Sequence, residues 1–564
     1  MLETIREYGL ERLATSWETE GIQQAHASYY LALAEEADRG IWSPQQFVWL
    51  ERLEREHGNL RAAMHWLLEQ QENEQRREMA LRLGGALLRF WQVRGHWSEA
   101  WNFLEWVRAR SKGVAAPAQV KALMAAAYLL DHFENDIDRA QAFYEESLVL
   151  QRELGDTAGV ALSLLHVGEI AGRRGNLAGA AAQIEEAITL FRSVRDERGI
   201  AVSLTSLAAI VSQQGEYARA VFLAEESLAR LRVVGDSEDI AWALDYLAGI
   251  ISQQGQYSRA ISLDEESLAR FRALGDMEGS IWSLFGLARV LFLSQGDPAR
   301  VYALLEEGLG LCKQVGHKLG IAWALSHQSE VFLLQGEALR ARSLLEESLP
   351  LYREARDQQS LAESLSILGR VETLTGDYAA AWTAYEESLA IGRAIGDNLS
   401  MSFSLEGLAV VIAVQGDLVR AARLWGSAEA LREAMGTPIP PVYRAAYERL
   451  VAAARAQLGE QAFTTAWAEG RTISPEQALA AERQPTLPTP TSPVRPAATN
   501  PGGLTAREVE VLRLLAQGLT SAQIAERLVI GVVTVNFHVR SIYSKLGVAS
   551  RAAATRYALE HHLV

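Results

Sequence analysis

The sequence predicts an all-α protein: a superhelix of paired helices repeating every 40 residues, followed by a small four-helix domain. Two observations carry this. The first is a set of three markers running in step. Gly175, Gly215, Gly255, Gly296, Gly336, Gly376 and Gly416 are spaced by 40 residues, once by 41. Asn135 and Gly95 extend that register backwards. Asp156, Asp196, Asp236, Asp276, Asp357 and Asp397 form a second series, with His317 in that slot once. "EESL" or a close variant begins at Glu145, Glu185, Glu225, Glu265, Glu306, Glu346 and Glu386. A fixed period of this length is the signature of a stacked helical array. The second observation is a change of character near the C-terminus. A segment holding six of the chain's 14 prolines, Gln484 to Gly503, gives way to short amphipathic stretches.

Composition sets the bounds. The chain has 564 residues, 49% hydrophobic and 22% charged, as soluble globular proteins have. That length exceeds one core and calls for several domains or a repeat. Apolar runs are short and broken by charge, so no membrane span is expected. The N-terminus "MLETIREYGLERL" has no apolar core and does not read as a secretory signal. A single cysteine, Cys312, excludes an internal disulfide and fits a reducing cytoplasm. The net charge is −16, yet residues 501–564 carry seven Arg/Lys against four Asp/Glu. A basic tail on an acidic body points to the tail alone as the part that meets nucleic acid.

Residues 1–110 form a helical lead-in, off the repeat and rich in tryptophan. Residues 111–470 are the repeat superhelix. In "IAWALDYLAGIISQQ", Leu244, Leu247, Ala248 and Ile251 share one helix face. Gly255 ends that helix, since glycine accepts the left-handed cap conformation. A second helix, from about Tyr257 to Arg272, buries Ala260, Leu263, Ser267, Leu268 and Phe271. Asp276 then caps the next helix. A lone pair cannot bury its apolar face, so neighbouring pairs stack. The 41-residue step falls between Asp276 and Gly296, where the extra residue is placed late in the first helix of that pair, as a bulge or a looser turn. The adjacent carboxylates of each "EESL" point about 100° apart, so they read as a solvated stripe rather than an acid/base pair.

This pattern resembles the tetratricopeptide repeat over roughly Gly95 to Glu433. It carries Leu247-Ala248 in the first helix, Gly255 and Tyr257 at the turn, and Ala260 and Ser267 in the second. Trp242, Trp282 and Trp323 occupy one position in three consecutive units, with Phe403 in the same slot further on. In the resembling family that slot faces the concave groove. Two readings stand: packing between repeats, or a groove for a peptide or protein effector that includes Asp245. The lead-in resembles the segment that follows the nucleotide-binding domain and winged helix in large bacterial signal-transduction ATPase regulators (the MalT-like class). No P-loop occurs, so that half is expected to be missing.

Residues 471–503 are expected to be a proline-rich linker. After it, residues 504–564 hold short helices at Thr505–Gly518, Thr520–Leu528, about Val532–Leu546 and about Ser550–His561. Two short helices joined by a tight turn are the helix-turn-helix signature. The segment resembles the LuxR-type DNA-binding domain through Leu504-Thr505, Arg507-Glu508, Glu510-Val511-Leu512, Gly518-Leu519-Thr520, Ile524-Ala525, Leu528, Thr534-Val535, His538, Ile542, Lys545-Leu546-Gly547-Val548 and Arg551. The resemblance implies that the third helix enters the major groove of double-stranded DNA. It also implies that the fourth makes a homodimer contact. Periodicity places Val535, Val539, Ile542 and Leu546 in the core. Asn536, Phe537 and Arg540 then face base edges. Thr520, Ser521, Thr534, Lys545 and Arg551 suit phosphates.

No catalytic or metal-binding spacing is present, so no enzyme activity, cofactor or metal is expected. The leading expectation is a cytoplasmic, bacterial, DNA-binding transcription regulator whose superhelix senses a ligand or partner. The alternatives are a repeat scaffold with an accessory DNA-binding domain, and an enzyme subunit whose ATPase half resides on a separate chain.

Overall fold

The computed structural model describes Arg12, Ser16 and residues 18–480, apart from 44, 70–73, 97–98, 101, 104–105, 107–114 and 132–135. In the C-terminal part it describes residues 504, 506–528, 535, 538–539, 542–543, 545–548, 550–561 and 563. Among the described residues every regular element is helical.

The lead-in supplies α1 (Thr19–Gly40), α2 (Gln46–Glu69) and α3 (Glu74–Arg94). The superhelix begins with α4 (Ala116–Leu129), α5 (Ile137–Leu154), α6 (Thr157–Arg173), α7 (Leu177–Val194), α8 (Glu197–Gln213) and α9 (Tyr217–Val234). It continues through α10 (Ser237–Gln253), α11 (Tyr257–Leu274), α12 (Met277–Leu293), α13 (Pro298–Val315), α14 (Lys318–Leu334) and α15 (Ala338–Ala355). Then come α16 (Gln358–Thr375), α17 (Tyr378–Ile395), α18 (Asn398–Val414) and α19 (Leu418–Met435). Three further helices close the body: α20 (Pro441–Leu458), α21 (Glu460–Gly470) and α22 (Pro475–Ala480). The C-terminal domain shows α23 (Ala506–Ala516), α24 (Ser521–Leu528) and α25 (Arg551–Glu560).

Each repeat marker has a physical job. The aspartates are N-caps: Asp156, Asp196, Asp276 and Asp357 accept from the backbone N–H three residues on. His317 does the same through Nδ1, 2.8 Å from the Gly320 nitrogen. Gly255 and Gly275 sit at φ +79° and +70°, the left-handed cap conformation. The serine of "EESL" is sealed in the core, and in three units it donates to a carbonyl of its partner helix. Ser227 bonds Ala201 O at 2.6 Å, Ser267 bonds Ala241 O at 2.8 Å and Ser388 bonds Ala362 O at 2.7 Å. The acidic stripe pairs from unit to unit. Glu185 meets Arg219 at 3.2 Å, Glu225 meets Arg259 at 2.5 Å and Glu265 meets Arg300 at 2.7 Å. These pairs are about half-exposed and so contribute little each.

Of the two readings of the 41-residue step the looser turn holds and the bulge does not, and two other expectations need correction. The 41-residue step does not lengthen the helix, since α12 has 17 residues like α10. The extra residue lies in the turn, where Gln295 takes the left-handed position at φ +61° and Asp297 caps α13. Leu263 is only half-buried, and it is Asp264, 1% exposed, that takes the core position on α11. The linker does not start at residue 471. Arg471 pairs with Glu429 and Glu433, and Ala478 of α22 is fully buried. Pro475 opens that helix at a position where proline is tolerated, while the other prolines of the tract come later. Residues 481–503 lie outside the described residues.

The superhelix turns back on itself. Gln295 Nε2 donates to Pro441 O at 2.7 Å, and Arg356 meets Asp138 at 3.1 Å. Gln213 meets Gln359 at 3.4 Å. Units far apart in sequence thereby enclose a central space.

Candidate nucleic-acid interface and effector cavity

The C-terminal domain packs around Val511, Leu512, Leu515, Ile524, Val535, Ile542, Ala554 and Ala558. Val539 and Leu546 lie half-buried against that cluster, as periodicity predicts. His538, 7% exposed, joins the inner side. Gly518, at φ +88°, ends α23. Thr520 then caps α24 reciprocally: its Oγ1 accepts from Gln523 N at 3.3 Å, and Gln523 Oε1 accepts from Thr520 N at 2.9 Å. Ser521 opens α24, partly exposed beside the cap. Ser550 caps α25 through Ala553 N at 3.2 Å.

Asn536, Phe537, Arg540 and Thr534 lie outside the described residues. Lys545 and Arg551 are described, and both head groups are engaged inside the domain. Lys545 Nζ bonds both oxygens of Glu508, at 2.9 and 2.8 Å, and Glu508 is 4% exposed. Arg551 donates to the carbonyls of Leu515 and Leu519 at the end of α23. Glu508 reads in the sequence as the acid of a capping box with Thr505, which lies outside the described residues, and it is the buried partner of Lys545. Removing the lysine takes the cationic partner from that buried carboxylate. Lys545→Ala is expected to destabilise this domain by about 1–3 kcal/mol, read as a lowered midpoint for its unfolding.

The second site is a cavity of about 430 Å³ inside the superhelix, within the range of small-ligand pockets. Its walls include Trp282, Trp323, Tyr352, Phe403 and Tyr443, with Asp245, Arg289, Glu330, Glu363 and Arg370. Trp282 and Trp323 are half-buried, with part of each indole open to the space. Trp323 is held between two rings, Phe285 at 4.8 Å and His327 at 3.5 Å. Trp242 is different. It packs edge-on against Phe271 at 5.0 Å and is not among the lining residues, which on α10 begin one turn later at Asp245 and Tyr246. The expected row of three indoles is therefore a pair.

The cavity's charges are mostly spoken for. Arg289 pairs with Glu363, and Arg370 pairs with Glu330 at 2.5 Å. Tyr443, from α20, donates to Glu330 at 2.5 Å and lies under the Arg370 guanidinium at 4.4 Å. The segment after α19 thus closes one side of the cavity, a contact between residues 113 apart that no periodicity announces. Burial lowers the pKa of His327. Asp245 is different again: its Oδ1 is sealed from solvent without a hydrogen-bond partner.

A third grouping escaped the sequence. Glu54, His57 and His96 bring ligand-type atoms within 4.8 Å of one another. His57 is bonded to Glu99 at 2.8 Å and His96 to Glu54 at 3.2 Å, so these groups satisfy one another. Among the described residues no helix is long and apolar enough to cross a membrane.

Comparison with known proteins agrees with this anatomy. The luxR family of bacterial regulatory proteins matches residues 503–558. Tetratricopeptide repeat families match residues 200–237, 239–314 and 320–394. The "Putative HTH-type transcriptional regulator Mb0914c" of Mycobacterium bovis is 37% identical over 116 residues, 20% of this chain and 12% of that protein. The transcriptional regulatory protein LiaR of Bacillus subtilis is 48% identical over 61 residues, 11% of this chain and 29% of that protein. The chain thus spans a small share of these relatives. A Rap protein crystallised with Competence and Sporulation Factor shares the superhelical fold. It matches at a TM-score of 0.50 and 12% identity, over 66% of this chain and 99% of that one. The chain therefore carries a DNA-binding domain of the luxR family of bacterial regulatory proteins behind an array of tetratricopeptide repeats.

Proposed function

We propose that this protein is a transcription regulator that binds promoter DNA through residues 504–564 and senses an effector in the cavity of its superhelix. The observation that carries the reading is the pairing of a luxR-type domain with a cavity whose two open indoles, Trp282 and Trp323, face unclaimed space. Half-exposed stacked aromatics are what a binding surface offers to a peptide or a partner helix.

In the DNA-binding half, Asn536, Phe537 and Arg540 fall between the core positions Val535, His538, Val539 and Ile542. That phase supports an outward aim towards base edges. Arginine reads guanine bidentately, asparagine reads adenine, and phenylalanine touches the thymine methyl. Thr520, Ser521 and Thr534 are suited to phosphates at the start of α24 and of the recognition helix. Lys545 and Arg551 would add phosphate contacts through donors left over from their internal bonds. The last helix, α25, presents Leu559 at 59% exposure and suits a homodimer contact on DNA. Arg540→Ala is expected to weaken binding to the preferred duplex by about 1–3 kcal/mol and to relax the preference at one base pair. An unchanged affinity ratio between preferred and scrambled duplexes contradicts the assignment.

Tyr443 supplies the route between the halves. It belongs to the closing helices that precede the DNA-binding domain, and it is bonded into the cavity wall. An effector that competes for Glu330 or Arg370 shifts that helix. The coupling is real only if effector and DNA change each other's affinity by the same factor.

A further inference from the structure

The lead-in holds a cluster that neither the repeat nor the DNA-binding domain uses. Glu54 and His57 lie three residues apart on α2, on one helix face. His96 and Glu99 lie three residues apart just past the end of α3. The two pairs meet crosswise. His57 Nε2 is 2.8 Å from Glu99, and His96 Nε2 is 3.2 Å from Glu54. The two imidazoles lie 3.9 Å apart, centre to centre. Fully buried Phe90 backs both rings, at 5.4 and 5.0 Å. Glu54, by contrast, keeps 41% of its side chain in solvent. The donors therefore converge at the surface, above an apolar floor, with a way in from water.

The backbone fixes this geometry. Gly95, at φ +72°, ends α3 in the left-handed conformation and turns the chain. The His96 N–H donates to Trp91 O at 3.0 Å, and the His96 carbonyl accepts from Glu99 N and Ala100 N, both at 3.2 Å. His96 is thus placed by the turn and not by its own ring. Nearby cations do not cancel the two acids. Arg61 bonds the other Glu99 oxygen at 2.9 Å, and Arg94 is taken up by Glu51 at 2.6 Å. With neutral rings, two carboxylates against one guanidinium leave the cluster anionic.

We propose that Glu54, His57 and His96 form a site for a transition-metal dication of the zinc class, with Glu99 as the supporting carboxylate. Their ligand atoms lie within 4.8 Å of one another. Three such atoms share a central point no farther from each than 4.8 Å divided by √3, about 2.8 Å. Zinc bonds to imidazole nitrogen and carboxylate oxygen run about 2.0–2.2 Å, so side-chain movements of under about 1 Å close the set. Two imidazoles and a carboxylate suit zinc, whereas magnesium and calcium take oxygen ligands. If His57 ligates through Nε2, Glu99 is the fourth ligand. If it ligates through Nδ1, Glu99 accepts from Nε2–H and orients the ring. The ion takes the place of the hydrogen shared by His96 Nε2 and Glu54, and the neutral ring keeps its proton on Nδ1. Bound there, it clasps α2 to the end of α3. Since α3 also carries Arg89, which reaches Glu238 of α10 at 2.7 Å, the clasp acts on a helix joined to the array.

The test is calorimetric titration of the full chain, stripped by a chelator, with Zn2+, and with Co2+ as a coloured substitute. One Zn2+ should bind more tightly than any further ion and raise the thermal unfolding midpoint. Mg2+ and Ca2+ should do neither. Co2+ should develop visible ligand-field absorption that Zn2+ then abolishes. His57→Gln and His96→Gln should each lose the tight equivalent and the Co2+ colour. Glu99→Gln should weaken Zn2+ by about 10–100-fold. His65→Gln alters an exposed histidine paired with Glu69 and should keep both signals. Glu54→Gln guards against a folding artefact: it is half-exposed, keeps a hydrogen-bonding oxygen for His96, and removes only the charge. It should leave the metal-free midpoint unchanged and still weaken Zn2+. Equal binding by wild type, His57→Gln and His96→Gln shows an adventitious ion elsewhere on the chain and overturns the site. So does the absence of a tight equivalent in wild type, or Mg2+ binding as tightly as Zn2+.

Discussion

Leu247→Ala should lower the stability of the superhelix by about 2–5 kcal/mol and leave the DNA-binding domain unaffected. Leu247 is 1% exposed on α10 and belongs to the cluster that runs from α5 to α12 and takes in Met435 of α19. The substitution removes three buried carbons and leaves a cavity, because rigid neighbours on both sides cannot collapse into it. Repeat arrays couple chiefly to their nearest neighbours, so the damage should be local. Hydrogen exchange should quicken across residues 200–295, and residues 504–564 should keep their protection. Uniform loss of protection along the whole chain would contradict a stacked array.

Arg89→Ala should be at least as damaging, at about 3–5 kcal/mol. Arg89 lies on α3 in the lead-in, and it reaches Glu238 of α10 at 2.7 Å. Its guanidinium lies 4.1 Å from the Trp42 ring centre, and Arg198 of α8 lies 3.9 Å from the same ring. The lead-in is thus bolted to the middle of the array by one indole between two cations. Removing Arg89 leaves Glu238, 4% exposed, among Asp236, Asp239 and Asp276 with only the Gln46 amide, 3.3 Å away, in place of its guanidinium partner. Burial already raises the Glu238 carboxyl pKa above its ordinary 4.5. Without Arg89 it rises further, and the stability carried by the neutral form is present at low pH and lost as pH rises. The variant should therefore be closer to wild type at pH 5 than at pH 8 in thermal unfolding. Arg89→Met with Glu238→Leu should recover most of the loss, since an apolar pair of similar volume needs no charge partner. A loss independent of pH would show that packing on Trp42, and not the ion pair, holds the lead-in.

How these features showed in the sequence depends on whether they repeat. The aspartate, glycine and "EESL" series each perform one local task in every unit, so the period exposes them. The N-cap role of Asp276 and the left-handed turn at Gly255 follow from the residue types alone. The buried faces of the DNA-binding helices follow from helical phase, as Val535 and Ile542 show. The closing of the superhelix is different. Gln295 meeting Pro441, and Tyr443 meeting Glu330, join residues more than 100 positions apart that belong to no series. Nothing local encodes such a contact. Trp242 shares a slot with Trp282 and Trp323 but not their surroundings, because the path of the superhelix leaves it beside the enclosed space. Asp264 was readable in principle: aligning the seven units puts one acid in a column of core residues. Lys545 and Arg551 show the limit of motif reasoning. Their types suit phosphates, yet a buried carboxylate and two helix-end carbonyls hold them.

We propose that this acidic chain reads DNA through its small basic domain. The most direct measurement is the affinity of the full-length protein for duplex DNA selected from a random-sequence pool, followed as salt is raised. The prediction is a preferred sequence, with an affinity that falls linearly on a log–log plot as phosphate contacts release counterions. Arg540→Ala should lose the sequence preference while largely keeping the salt slope. No enriched sequence, and no salt-dependent affinity for any duplex, would contradict the account and leave a repeat scaffold whose C-terminal domain does not bind DNA.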